Sequence, residues 1–118
     1  MAMRININKS EILSQIIKEI TGETLTTPIT GITTDSRDCK PGDLYIALLG
    51  NRSDGHDFLY QVDNINAAAA LVSKENTTEK LKLKQICVQD TNKVLGMIAN
   101  KWRKKFDIPV IAITGSNG

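Results

Sequence analysis

Aromatic side chains are scarce: two Phe, two Tyr and one Trp make up 4% of the 118 residues. That is too few for the base-stacking platform of a single-strand-binding protein. Excess charge is also small, a formal +2, which does not by itself point to nucleic acid or to a membrane surface. The two cysteines, Cys39 and Cys87, show neither metal-type spacing nor a disulfide framework. Free thiols in a reducing cytoplasm are the expected state. With His56 the one histidine, no Ser-His-Asp order, metal-ligand cluster or catalytic carboxylate pair is discernible. No apolar run approaches the ~20 residues that span a bilayer. The opening MAMRININKS lacks the apolar core of a signal peptide, so neither membrane insertion nor export is expected.

What is present is the material of an ordinary folded domain. The 41% hydrophobic and 24% charged content is typical of globular proteins, and the length suits a single core. Alternation over 4–7 predicts a short strand. Asn8 with Glu11 forms a box-like helix start, and Ile12, Leu13, Ile16, Ile17 and Ile20 share one helical face, ending at Gly22. A helix over 9–21 follows, packed on a sheet. β-Branched residues predict a strand over 29–34, placed at an edge by Pro28. Pro41-Gly42 suits a type II turn, and 44–49 reads as a central strand covered on both faces. Further readings are a helix over 57–65, a buried strand over 69–73, a surface loop over 74–84, a strand over 85–88 and an amphipathic helix over 91–106. An all-apolar strand over 109–114 then runs into Gly115-Ser116-Asn117-Gly118. The class is α/β: a small mixed sheet with flanking helices, followed by the first helix and strand of a P-loop-type α/β unit.

Chemistry concentrates in Thr33 to Phe58, where two polar loops bracket the central strand. Arg37 and Arg52 carry planar forks suited to phosphate or to a base edge. Ser36 and Asn51 offer hydrogen bonds to a base or sugar, and His56 offers a donor to phosphate. Each also has a structural reading: Asp35 as a turn cap, Asp54-Gly55 as a turn pair, Arg37 paired with Asp35 or Asp38, His56 as a helix-entry residue. The basic run 101–105 is accounted for by cations at a helix C-terminus. At the far end, glycines after a buried strand are how phosphate loops begin. The usual spacing is not met, because Ile113 occupies the place of the first glycine, and an ordinary strand–turn is the alternative.

Taken together, TDSRDCKPGDLYIALLGNRSDGHDF, the helix DTNKVLGMIANKWRKKF and VIAITGSNG resemble, in order and spacing, the Mur ligases that build the peptidoglycan stem peptide. The resemblance covers the whole chain. It implies a domain over 1–84 that binds the UDP end of a UDP-N-acetylmuramoyl-peptide, with Ser36, Arg37, Asn51, Arg52 and His56 at that site. It implies that 85–118 begin a central ATP-binding domain, with Gly115, Ser116, Asn117 and Gly118 opening a shortened phosphate loop that continues as Lys-Thr-Thr in the family. ATP and Mg2+ are the implied cofactors of the full-length enzyme, and none is expected on these 118 residues. The loop lysine and the metal-holding carboxylates lie beyond residue 118, so this stretch is expected to be inactive alone. The whole enzyme is expected to be a cytoplasmic, monomeric, ATP-dependent acid–amino-acid ligase. Within the family, RSDGHDF and WRKKF running into IPVIAITGSNG point to the type that adds D-alanyl-D-alanine. The type that adds the third amino acid is one alternative, and a non-enzymatic interaction module whose polar loops meet a protein partner is another.

Overall fold

The computed structural model of the chain describes residues 4–50, 54–77 and 80–106. The expected strand at 109–114, the glycine-rich 115–118 and the pair Asn51-Arg52 lie outside the described residues. The elements are β1 (Arg4–Asn6), α1 (Ser10–Thr21), β2 (Gly31–Thr33), β3 (Leu44–Ile46), α2 (Leu59–Asn64), β4 (Ala69–Val72), β5 (Lys84–Cys87) and α3 (Thr91–Phe106). Two 3-10 turns, Ser36–Asp38 and Gly55–Phe58, follow β2 and β3. One sheet runs in the order β1-β2-β3-β4-β5. Its β1 is antiparallel to β2, and all other neighbours are parallel.

Alternation along the inner strands sorts the core into two layers, as the two-residue period of a strand requires. Leu44, Ile46, Ala69 and Leu71 point to one face, where they pack with Leu13, Ile16 and Ile17 of α1 and Val94 and Ile98 of α3. Tyr45, Ala47, Ala70 and Val72 point to the other, with Leu59 and Val62 of α2. Leu13, Ile16 and Ile17 are fully buried, each contributing roughly 1.5–3 kcal/mol of transfer free energy. Gly22 ends α1 in the left-handed region, φ +81°, as its position in the sequence implies. Gly42 takes φ +84° in the turn after Pro41, and the Asp43 N–H closes that turn on the Lys40 carbonyl at 3.1 Å.

Two expectations change. Lys9 occupies the N-cap position of α1 and makes no side-chain cap hydrogen bond, so the box led by Asn8 does not form. The Ser10 hydroxyl instead accepts the Ile29 N–H at 2.6 Å. The strand after Pro28 is interior rather than an edge, because β1 covers its outer side. Pro28 precedes the paired residues and so costs no ladder bond. β5 is hydrogen-bonded to β4, and α3 lies on α1 within the same core.

Two lysines of the basic run reach across to α1, Lys101 at 3.5 Å and Lys105 at 3.8 Å from Glu19. Gly96, inside α3, has no heavy atom within 4 Å of where a Cβ would stand. Gly96→Ala is therefore expected to raise stability by about 1 kcal/mol, read as a higher denaturation midpoint. An unchanged or lower midpoint would show that α3 is not helical there in solution.

Candidate functional site

In open α/β sheets ligands gather at the carboxyl ends of parallel strands, and here the ends of β2 and β3 carry the same local device. Asp35 (φ −116°, ψ 118°) and Asp54 (φ −112°, ψ 120°) each precede a 3-10 turn in extended conformation. Each carboxylate takes both the backbone N–H and the side-chain donor of the residue two places on. Asp35 Oδ1 accepts the Arg37 N–H at 2.9 Å and its Nε at 3.1 Å, while Oδ2 accepts Nη2 at 2.8 Å. Asp54 Oδ1 accepts the His56 N–H at 2.9 Å and lies 2.5 Å from its Nδ1. Both carboxyls are held below the usual range, Asp35 chiefly by the Arg37 side chain and Asp54 chiefly by the His56 N–H.

The two turns are brought together by the strand between them. The Tyr45 hydroxyl donates to the Gly55 carbonyl at 2.8 Å, and the Gly55 N–H donates to Leu48 O at 2.7 Å. Burial raises the Tyr45 pKa, so the phenol stays a donor. Between the turns lies a cleft of about 650 Å³, lined by Thr34, Asp35, Ser36 and Arg37 from the first turn, Tyr45, Leu48 and Gly50 from β3 and its extension, and Gly55, Phe58 and Gln61 from the second turn and α2. Ser36 is 6% exposed, and its hydroxyl makes no hydrogen bond to a described residue. A buried hydroxyl is costly to leave without a partner. Arg37 is exposed, and Asp35 fixes the orientation of its fork through Nε and Nη2.

Of the five expected substrate residues, the structure brings Ser36 and Arg37 into this cleft. His56 instead lines a neighbouring depression of about 430 Å³ with Ser73, Lys74 and Asn76, and Asn51 and Arg52 lie outside the described residues. His56 Nε2 accepts the Ser73 N–H at 2.9 Å and lies 3.2 Å from Ser73 Oγ. Asp54, His56 and Ser73 thus form a carboxylate–imidazole–hydroxyl chain that 17 residues of separation kept out of view in the sequence. It differs from a nucleophile–base pair, because the single Nε2 lone pair is already occupied by a backbone N–H. The imidazole ties the second turn to the end of β4.

Other groups are accounted for within the fold. Cys39 is buried, and burial pushes its thiol up to about 11, which removes thiolate chemistry at neutral pH. Among the described residues no cluster of three or more His, Cys, Asp or Glu is placed to hold a metal ion, and no helix is long and apolar enough to cross a membrane.

The model of the Mur ligase family, catalytic domain, matches residues 28–103. The UDP-N-acetylmuramoyl-tripeptide–D-alanyl-D-alanine ligase of Escherichia coli (strain K12) is 39% identical over 108 residues, 90% of this chain and 23% of the relative. The UDP-N-acetylmuramoyl-L-alanyl-D-glutamate–2,6-diaminopimelate ligase of Syntrophomonas wolfei subsp. wolfei (strain DSM 2245B / Goettingen) is 38% identical over 112 residues, again 90% of this chain and 23% of the relative. A crystal structure of MurF from Acinetobacter baumannii superposes with a TM-score of 0.69 at 30% identity, over 78% of this chain and 21% of that one. The chain spans 23% of the length of the two curated relatives.

Proposed function

Because the chain belongs to the Mur ligase family, we propose that it forms the part of a peptidoglycan-precursor ligase that holds the UDP end of a UDP-N-acetylmuramoyl-peptide. The observation that carries this reading is the buried Ser36 hydroxyl, without a hydrogen-bond partner among the described residues, beside the fixed fork of Arg37 in one open cleft. A hydroxyl and a guanidinium side by side suit a ribose or diphosphate oxygen. Asn51 and Arg52, which follow Gly50 in the sequence, belong to the same reading. His56 serves it as a positioning residue for the second 3-10 turn.

The complete protein on this reading is a cytoplasmic, monomeric, ATP-dependent ligase that joins D-alanyl-D-alanine to UDP-N-acetylmuramoyl-tripeptide. The substrate-nucleotide unit extends through α3. The ATP-binding domain begins with 109–114 and the glycine-rich Gly115 to Gly118, whose amides would receive the ATP phosphates. The described residues offer no ligand set for Mg2+. Their work is to bind and orient, and the chemistry supplied by ATP and Mg2+ falls to residues outside them. A second reading, a ligase that adds the third amino acid, is favoured by the near-equal identity of the Syntrophomonas relative. ATP-dependent ligation by the complete protein decides between them: D-alanyl-D-alanine consumed with the UDP-tripeptide supports the first, diaminopimelate or lysine consumed with the UDP-dipeptide the second.

Binding is tested by calorimetric titration of the chain with UDP-N-acetylmuramoyl-tripeptide and with UDP. Saturable binding of both is expected, weakened about tenfold by Arg37→Ala, the order of one charged hydrogen bond. Ser36→Ala is expected to weaken binding without lowering the melting midpoint, since its hydroxyl makes no hydrogen bond to a described residue. A folded sample that binds neither ligand contradicts the reading.

A further inference from the structure

The second 3-10 turn is tied to the end of β4 through one imidazole nitrogen, and the groups on both sides of that ring fix where its protons are. Asp54 is held below the usual carboxylate range, so it stays ionised and can only accept. Nδ1, which faces it, therefore carries a proton. On the far side the Ser73 backbone N–H can only donate, and it meets Nε2 at 2.9 Å. Nε2 is therefore bare, and the ring is neutral while this bond is made. A second proton on Nε2 would set N–H against N–H, so the bond to the Ser73 amide cannot survive it. Another acceptor stands close by, because the Ser73 hydroxyl lies 3.2 Å from the same nitrogen. Among the described residues, the charged groups around the ring are Asp54 and Asp57 from its own turn and Lys74 and Glu75 from the segment after β4. The extension of β3 contributes the uncharged Leu49. Three carboxylates against one ammonium make a setting that accepts an imidazolium.

We propose that His56 is a proton-operated latch: neutral, it holds the second turn to the Ser73 amide; protonated, it releases that amide and donates to the Ser73 hydroxyl. Imidazoles take up a proton between about pH 5 and 8, so acidification alone is the trigger. A consequence for the cleft rests on the reading that UDP occupies it. The released turn carries one wall, through Gly55 and Phe58, so acid loosens UDP binding.

The experiment follows the chain by nuclear magnetic resonance from about pH 8 to about pH 5, wild type beside His56→Gln, whose amide oxygen accepts from Ser73 at every pH. In the wild type the Nε2 resonance is expected at the bare-nitrogen position at the high end. The Ser73 amide is expected to shift along the same curve as the ring. Its hydrogen exchange, corrected for the intrinsic pH dependence, is expected to quicken roughly fivefold, the order of one hydrogen bond, and to stay constant in His56→Gln. Three results in the wild type overturn the latch: a protonated Nε2 at the high end, a ring that titrates while the Ser73 amide stands still, or a ring that takes up no proton before the chain unfolds. An equal shift of the Ser73 amide in His56→Gln overturns it too. If the Gln variant does not fold, the wild-type results decide. UDP titration tests the consequence: the ratio of wild-type to variant affinity, in which the ligand's own protonation cancels, is expected to fall on acidification. A constant ratio overturns the coupling to the cleft. Failure of the wild type to bind UDP overturns the substrate reading and leaves the latch, read from Ser73, standing.

Discussion

Replacing Asp43 with alanine is expected to cost about 3–5 kcal/mol of folding stability, the range for removing one partner of a buried ion pair. Asp43 is fully buried, although its place after Pro41-Gly42 reads in the sequence as a surface turn. Its carboxylate takes a two-pronged contact from Arg4, 2.7 Å to Nε and 2.8 Å to Nη2. It also accepts the Lys40 N–H at 2.9 Å and the Thr30 hydroxyl at 2.9 Å. The pair straps the outer strand β1 across β2 to the turn that starts β3. Gly31 makes room for it, since a Cβ there would lie 2.6 Å from Arg4 Nη2. Arg4→Ala leaves the same carboxylate buried and unpaired, so the double variant is expected to cost less than the sum of the two single ones. Denaturant titration of the four proteins measures this, and additive losses would show that the pair does not interact in solution.

The same carboxylate sets a pH dependence. Burial pushes the Asp43 pKa up, but the hydrogen bonds from Arg4, Lys40 and Thr30 outweigh it and hold the group below its usual range. A carboxyl whose folded pKa is depressed binds fewer protons when folded than when unfolded. Its contribution is complete above the ordinary carboxylate range and is lost as pH falls through the depressed value. Asp35 and Asp54 are shifted the same way. Acid should therefore weaken the wild type more steeply than Asp43→Ala.

Gly55→Ala is the second large effect, expected to cost about 2–3 kcal/mol by overpacking and to abolish UDP binding. A Cβ at Gly55 would lie 2.8 Å from Leu48 N, and 3.0 Å from both Ala47 Cα and Leu48 O. These are backbone atoms of the β3 extension and cannot swing aside as a side-chain tip would, so the turn itself must move. Moving it breaks the Gly55 N–H bond to Leu48 and the Tyr45 bond to Gly55, and it parts the walls of the cleft. Thermal melting and UDP titration of one sample read both effects. Retained stability with lost binding would locate the damage in the cleft alone, and retention of both would refute the close approach. The contrast with Gly96→Ala is informative, because the same chemical change there meets open space.

Local features were legible in the chain because periodicity and turn residues report on neighbours. The helix at Ser10–Thr21, the buried strand at Leu44–Ile46 and the Ala-rich strand at Ala69–Val72 follow from the spacing of their apolar residues. Contacts between residues distant in sequence were not legible. Arg4 and Asp43 are 39 residues apart, and neither type announces a buried pair. Asp63 accepts the Lys82 and Leu83 N–H groups across 19 and 20 residues, pinning the segment before β5 to α2. Nothing in the sequence around it marks that task. The candidate site divides in the same way. Ser36 and Arg37 were legible as loop chemistry, and Asp35 as a turn cap. Phe58 reads in the sequence as part of a helix over 57–65 and Gln61 as carrying no role, because openness to a cleft is a property of the packed molecule. His56 was grouped with the substrate contacts, and its bond to Ser73 shows that a lone histidine in a polar loop can be committed to the backbone.

The most direct test of the account is an amide-resolved nuclear magnetic resonance titration of the chain with UDP. The predicted result is saturable shifts at Thr34 to Arg37, Gly55, Phe58 and Gln61, with the amides of α3 unmoved. Saturable binding whose shifts fall on α3, or around Lys74 to Thr77, and spare Ser36 and Arg37 would contradict it.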